Sequence, residues 1–275
     1  HCTKHNYLVK SIEDLPRILH EAFYVASSGR PGPVVIDLPK DVQFKSGAYA
    51  RPTNNQHKTY RPALEGNPEA IRAAVALMAS AKRPVFYTGG GVINSGPRAS
   101  ALLRELVRLT GFPITSTLMG LGAYPGSDAQ FLGMLGMHGT YEANLAMHGC
   151  DVLINIGARF DDRITGRLVA FSPYSKRIHV DVDPSSINKN VKVDIPIIGD
   201  CEHVLEDILR LWKQEAAKVE RPELKDWWSK IEGWRRRNCL AYRPSKDTIK
   251  PQYAIRRLYE LTKDRETYIT TEVGQ

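Results

Sequence analysis

The chain has 275 residues, 42% hydrophobic and 25% charged, an ordinary globular balance and a length suited to one large domain or two smaller ones. No apolar run approaches the ~20 residues that span a bilayer and no charged–apolar–small signal opens the N-terminus, so a soluble, cytoplasmic protein without a membrane partner is expected. The net charge of +8 suits an anionic ligand, whereas the one tight basic run, Arg235–Arg236–Arg237, reads as the surface face of a helix rather than a nucleic-acid site.

In chain order, Ile12, Leu15, Ile18, Leu19, Ala22, Phe23 and Ala26 recur at helical spacing and predict a helix over 11–28 with Ser11 as N-cap. "SGRPGP" stops it, and Val34–Leu38 reads as a buried strand, closing one α–β unit. Residues 45–66, rich in Pro, Asn, Gly and Lys, read as a linker. Asn67 as N-cap and Pro68 at the first helical position open a new helix. Beyond it, strands at Val85–Thr88, Pro113–Ser116, Val152–Ile156, Ile178–Val182 and Val193–Ile198 alternate with helices at Arg98–Leu109 (closed by Gly111), Glu142–His148 (closed by Gly149) and from N-cap Asp200 to about Lys218. That alternation predicts an α/β fold, a doubly wound parallel sheet with helices on both faces. A helix and connection around Trp227, Trp228 and Trp234, a helix from Pro251 and a strand at Tyr268–Thr271 follow. Cys2, Cys150, Cys201 and Cys239 lack CxxC or Cys/His spacing and are expected to be reduced packing residues, with no metal site. The chain opens at His1 inside structured-looking sequence and closes on "YITTEVGQ", a strand and the start of a loop, so a fragment of a longer enzyme is expected.

In open parallel sheets the ligand crevice lies outside the carboxyl ends of the strands, so the loops that leave them carry the chemistry. "TGGGVINSG" lets backbone approach an anion or makes a tight turn; Asn94 stands where GxGxxG needs its third glycine. "STLMGLGAYPG" suits either a loop along a flat ring or a plain connection. Gly139 and Thr140 lie near a helix N-terminus that favours an anion, with His138 beside them as ligand or structural residue. "GARFDDRITG" packs Arg159, Asp161, Asp162 and Arg163 just past a strand, where arginines can meet phosphate oxygens and aspartates can orient them. "HVDVDP" puts Asp181 and Asp183 on one side of a strand end, a place where acids hold ribose hydroxyls. Together these describe a dinucleotide pocket, suited to FAD or NAD.

"KHNYLV", "SGRPGPVVIDLPKDV", "LGMLGMHGTYEANLAMHGCDVLINIGARFDDRITG", "INKN" and "TEVGQ" resemble, in order and along the whole chain, the acetohydroxyacid synthase (acetolactate synthase) large-subunit family. The resemblance implies residues 1–45 as the end of a pyrimidine-binding domain, 46–65 as a linker and 66–215 as a central FAD-binding domain. It further implies 216–250 as a helical connection and 251–275 as the start of a thiamine diphosphate-binding domain.

It also implies an FAD site of Arg30, Gly89, Gly90, Gly91, Thr117, Leu118, His138, Gly139, Gly157, Arg159, Asp161, Arg163, Asp181, Val182, Gly199 and Asp200. Met137 and Arg163 would face a substrate channel, and Val273, Gly274 and Gln275 would touch thiamine diphosphate. The implied reaction decarboxylates pyruvate and ligates the two-carbon unit to a second 2-keto acid in branched-chain amino-acid synthesis, with FAD mainly structural. The activating glutamate and the GDG…N motif for Mg²⁺ and diphosphate would lie outside this chain, leaving it no catalytic residue of its own. A homodimer or higher homo-oligomer is implied, and a regulatory small subunit is a further partner. The alternatives are another FAD-carrying thiamine enzyme, of glyoxylate carboligase or pyruvate oxidase type, and a dinucleotide-binding module without catalysis.

Overall fold

The structure, a computed structural model, describes residues 2–53, 57–215 and 222–270. Its N-terminal unit is a strand His5–Leu8 (β1), a helix Leu15–Ser27 (α1) and a strand Val34–Asp37 (β2), with β1 and β2 paired in parallel. β1 is an addition to the single strand expected here: its sequence, His-Asn-Tyr-Leu, has too little aliphatic character to announce itself. α1 begins at Leu15 with Asp14 at the N-cap, not at Ser11. Residues 12–15 form a turn, closed by Leu15 N–H to Ile12 C=O at 3.3 Å, and Pro16 fits the first helical turn, where no amide is needed. Val9, Ile18 and Val42 make a small core of their own. A short helix Lys40–Gln43 (α2) ends the unit. Between Phe44 and Asn67 the described residues form no helix or strand.

Asn67 caps the helix Pro68–Ala79 (α3) as its sequence predicts, its side chain accepting from Glu69 N at 2.8 Å and Ala70 N at 3.1 Å. The strand Pro84–Thr88 (β3) follows, then helices Gly90–Ser95 (α4) and Pro97–Thr110 (α5), strands Ile114–Ser116 (β4) and Phe131–Met134 (β5), and helix Tyr141–Gly149 (α6). Strand Val152–Ile156 (β6), helix Asp162–Thr165 (α7), strands Lys176–Asp181 (β7) and Ile195–Ile198 (β8) and helix Cys201–Glu215 (α8) complete the sheet domain. Gly111, at φ 73°, closes α5 in the left-handed conformation that favours glycine. Gly149, by contrast, is still helical, and extended Cys150 ends α6. β5 lies between the expected strand at 113–116 and the expected helix at 142–148, where no strand was expected; Gly133 at φ 89° and a register shift against β4 hide its pattern.

The strands run in parallel in the order β5-β4-β3-β6-β7-β8, which in order of appearance is the 3-2-1-4-5-6 of doubly wound sheets. Every residue of β3 and β6 is buried, the reason both sequences run apolar without alternation. Side chains alternate between two cores. Phe86, Ile154, Ile178 and Val180 face α3, α5 and α8, whereas Val85, Tyr87 and Leu153 face α6 and the helix Lys225–Arg235 (α9). Trp227 Nε1 donates to Pro84 C=O at 3.0 Å and Trp228 Nε1 to Gly111 C=O at 3.0 Å, which clamps α9 to the sheet domain.

Arg235 departs from the solvent-facing role expected of the basic run. It pairs with Glu232 and donates to the C=O groups of Ala129 and Phe131, covering the edge strand. Of the four free cysteines only Cys150 and Cys201 are buried packing residues; Cys2 and Cys239 are exposed. Helix Pro251–Thr262 (α10) has no buried residue. Tyr268 to Thr270 form no strand, because no described residue supplies the ladder hydrogen bonds that a strand needs; Thr271 lies outside the described residues. No described helix is long and apolar enough to cross a membrane.

Candidate functional site

The strand order reverses between β3 and β6, so their exits face one crevice edge. Gly89 N–H donates to Ile156 C=O at 3.1 Å and Gly91 N–H to Gly157 C=O at 2.9 Å. A Cβ on Gly89 would stand 2.5 Å from Gly157 O, and one on Gly157, at φ 65°, 2.8 Å from Cys201 Sγ. These glycines therefore let the two exit loops touch, and the amides of Gly89 and Gly91 are directed to carbonyls. Gly90 faces Met119. Thr117 N–H reaches Thr88 C=O at 2.9 Å, its side chain accepts from Gly120 N at 3.1 Å, and Leu118 next to it is exposed.

The β6 exit is shaped by Asn155, a fully buried amide in an otherwise aliphatic strand. Its Oδ1 accepts from Ala158 N at 3.1 Å and its Nδ2 donates to Ala158 C=O, a two-sided clamp that turns the chain immediately after the strand. Asn190 Nδ2 adds a hydrogen bond to Phe160 C=O at 2.6 Å. Arg159 lies between these pinned residues and pairs with Asp161 at 2.5 Å. Asp161 also caps α7, accepting from Arg163 N at 3.4 Å. A hydrogen bond with the Asp162 side chain, the Arg163 amide and the Arg159 charge hold its carboxyl below the usual range. Opposite Asn155 in register stands His179, also fully buried. Its ring meets Phe160 edge-on at 5.1 Å and its Nε2 lies 3.6 Å from Asp181.

At the β7 exit, Asp181 Oδ1 accepts from Asp183 N at 2.9 Å, with half-buried Val182 between them. Asp183 accepts from the Ser185 amide at 2.9 Å and hydroxyl at 2.7 Å, and from Arg30 at 3.2 Å. Burial pushes its carboxyl up, but the Ser185 and Arg30 hydrogen bonds outweigh this and hold it below the usual range. Asp200 accepts from the Ser95 hydroxyl and, at 2.9 Å, from Glu202 N, acting as the cap of α8. A Cβ on Gly199 would lie 2.9 Å from Gly66 N, so this glycine admits the 64–66 segment against β8.

One pocket of about 400 Å³ collects part of this set: Arg30, Arg159 and Asp161, joined by Phe160, Asp162, Ser186, Lys189 and Asn190. Sequence reasoning gathered Asp162 with the other charges of this loop but assigned no site role to Phe160, Ser186, Lys189 or Asn190, although "INKN" was in view. The signal for Asn155, also missed, is a lone amide in a buried aliphatic strand, which must hydrogen-bond something nearby.

Other expected residues line the same sheet end without entering this pocket. Exposed Met137 and His138 belong to the turn after β5, whose Gly136 lies against the Arg163 backbone. Gly139 is packed against Met134 and Leu135, where a Cβ would clash at 2.4 Å, and Thr140 rather than Gly139 caps α6, its hydroxyl accepting from Ala143 N at 3.3 Å. Val273, Gly274 and Gln275 lie outside the described residues. Among the described residues, no three His, Cys, Asp or Glu side chains converge to hold a metal ion. Three cations from three separate loops, with the Ser186 hydroxyl, suit the phosphates of a nucleotide.

Residues 71–208 match the family described as thiamine pyrophosphate enzyme, central domain. The chain is 47% identical over 274 residues to the acetolactate synthase isozyme 3 large subunit of Escherichia coli (strain K12), covering 99% of this chain and 47% of that protein. It is 45% identical over 275 residues to the acetolactate synthase large subunit of Haemophilus influenzae, with coverage of 99% and 47%. Against the acetolactate synthase of Mycobacterium leprae (strain TN) it is 44% identical over 277 residues, with coverage of 99% and 43%. The chain spans about half the length of these curated relatives.

Proposed function

Because the chain belongs to the thiamine pyrophosphate enzyme family through its central domain, we propose that it is the flavin-carrying central part of an acetolactate synthase large subunit. In this reading the whole enzyme acts in the cytoplasm, decarboxylates pyruvate and joins the two-carbon unit to a second 2-keto acid, supplying branched-chain amino-acid synthesis. It does so as a homo-oligomer, with a regulatory small subunit as a further partner. Thiamine diphosphate with Mg²⁺ supplies the electron sink for decarboxylation, and no described residue is assigned to either. FAD is assigned to the crevice along β3, β6 and β7.

The observation that carries the reading is the cationic pocket of Arg30, Arg159 and Lys189 at the carboxyl ends of β6 and β7, within a chain 47% identical to a named acetolactate synthase large subunit. In this reading Arg159 meets phosphate oxygens, with Asp161 fixing its guanidinium. Arg30, steadied by Asp183, closes the pocket from the N-terminal unit. Asn155 holds the turn that aims Arg159.

The test is a chimera in which residues 2–270 replace the matching segment of the E. coli isozyme 3 large subunit. The expected result is a flavin-containing protein that forms acetolactate from pyruvate with thiamine diphosphate and Mg²⁺. A folded chimera with neither flavin nor acetolactate formation overturns the reading. The 275-residue polypeptide alone is expected to form no acetolactate under the same conditions.

A further inference from the structure

Residues 57–66 contain no helix or strand, yet they are pinned at both ends. At the sheet end, Leu64 C=O accepts from Asp200 N–H at 2.8 Å, and Gly66 lies against Gly199. At the other end Tyr60 covers the turn between α1 and β2. Its hydroxyl donates to Ser28 C=O at 3.0 Å and its ring meets Tyr24 edge-on at 6.3 Å. Lys4 Nζ stands 4.6 Å from the centre of the Tyr60 ring and donates to the same Ser28 carbonyl at 2.6 Å. Gly29, at φ 59°, makes room for this contact, since a Cβ there would collide with the Tyr60 hydroxyl. The next residue is Arg30, so residues 57–66 form a strap over the turn that delivers Arg30 to Asp183.

The strap is held in shape by His57, whose Nδ1 accepts from the Thr59 and Tyr60 amides, both at 3.2 Å. A ring nitrogen that accepts two amides carries no proton, so this imidazole is neutral with its hydrogen on Nε2. Imidazole is the side chain whose charge ordinarily changes between about pH 5 and 8. A proton on Nδ1 would put a third N–H against the two amides. The Thr59 hydroxyl, also 3.2 Å from Nδ1, could turn a lone pair toward that proton, but the amides could not. The groups facing His57 offer a proton no compensation. From β1 come His5, edge-on at 5.2 Å, and the Tyr7 ring at 6.5 Å; Lys4 lies at Tyr60, and Lys58 follows in the chain. Glu21, the carboxylate that acts on Tyr7, is paired with Arg17 at 3.1 Å. Among the described residues no carboxylate pairs with His5 or His57.

We propose that His57 is the pH-sensitive catch of this strap: neutral, it holds residues 57–60 against the 28–30 turn, and protonated, it lets them go. The closed strap needs the neutral ring, so its stability is present at higher pH and is lost as pH falls through the imidazole titration. Arg30 and Asp183 keep their charges through this window, because the Asp183 carboxyl is held below its usual range. Acid therefore loosens the strap without parting the two units. The catch is independent of which ligand the pocket takes.

The test is amide hydrogen exchange on the full 275-residue chain at about pH 7.5 and about pH 5.5, either side of an ordinary imidazole titration. Each rate is divided by the intrinsic rate at the same pH, which leaves the local opening equilibrium. In the parent, protection of the Thr59 and Tyr60 amides is expected to fall about tenfold on acidification, the scale of one lost hydrogen bond, while the β3 and β6 amides keep theirs. His57→Asn, whose side-chain oxygen is an acceptor that does not titrate, should hold the same ratio within about twofold. Tyr60→Phe should lower protection at both pH values and keep the parent's pH ratio. Equal protection of the parent at both pH values overturns the catch, as does a fall in His57→Asn as large as the parent's. A parallel loss at β3 and β6 marks global acid unfolding and overturns it too. If Tyr60→Phe matches the parent, the Ser28 anchor and the strap with it are overturned.

Discussion

α8 and α10 both carry apolar residues at helical spacing, yet their fates differ. α8 buries Val204, Leu205, Ile208 and Trp212 against the sheet, while α10 leaves Ile255, Leu258 and Tyr259 exposed. The difference lies outside either helix. α8 follows β8, and its stripe faces a sheet already assembled from β3, β6 and β7. α10 follows a connection without helix or strand, and no described element covers it. Amphipathic periodicity specifies a helix and a face, and burial requires a surface that other segments must build.

The same contrast sets the expected size of mutational effects. Phe86→Ala, at a fully buried position of β3 packed against Phe112, should cost about 3–5 kcal/mol in denaturant unfolding. A cost under about 1 kcal/mol would show that the sheet core is not the seat of stability. Gly157→Ala places a methyl among Cys201, Gly91 and Val92 at a positive φ. It should cost about 2 kcal/mol or more, from backbone strain and overpacking together. Because Gly157 joins two exit loops, the flavin reading proposed above expects flavin affinity to fall with it, and an unchanged affinity would separate the glycines from the proposed site.

Asp183 links the N-terminal unit to the sheet through Arg30. Its carboxyl is held below the usual range, so its stabilising contribution is complete above the unfolded-state value of about 3.9 and is lost as pH falls through the lower folded-state value. The stability gap between the parent and Asp183→Asn should thus be constant above about pH 5 and close on acidification, with a size no greater than about 1 kcal/mol for a partly exposed pair. A gap that widens in acid would contradict this sign. Smallest of all, Ile255→Ala on α10 should fall within about 0.5 kcal/mol. A larger loss would mean that α10 is covered in solution.

Much of the sheet was legible. β3 and β6 read clearly because both of their faces are buried, which demands a mostly apolar sequence without alternation, and Asn67–Pro68 announced α3 through local hydrogen-bond chemistry. β1 and β5 escaped because one is half polar and the other glycine-bearing, so that pairing rather than composition makes them strands. The charged loop after β6 was visible as a candidate site, but its internal order was not. Asp161 serves both as cap and as guanidinium partner, and Asp200, expected at the cofactor, is occupied in capping α8.

The amino-acid sequence by itself determined the alternation of strands and helices, the parallel sheet and the clustering of charge at its carboxyl end, since each follows from local periodicity or from short-range chemistry. Only the tertiary structure decided that Asn155 clamps the loop that carries Arg159, that Arg30 arrives from another unit to meet Asp183, and that Lys189 reaches the same pocket without an ion pair among the described residues. Those contacts join residues as far apart as Arg30 and Asp183, 153 positions along the chain, and no local pattern records which distant side chains the folded backbone will bring together.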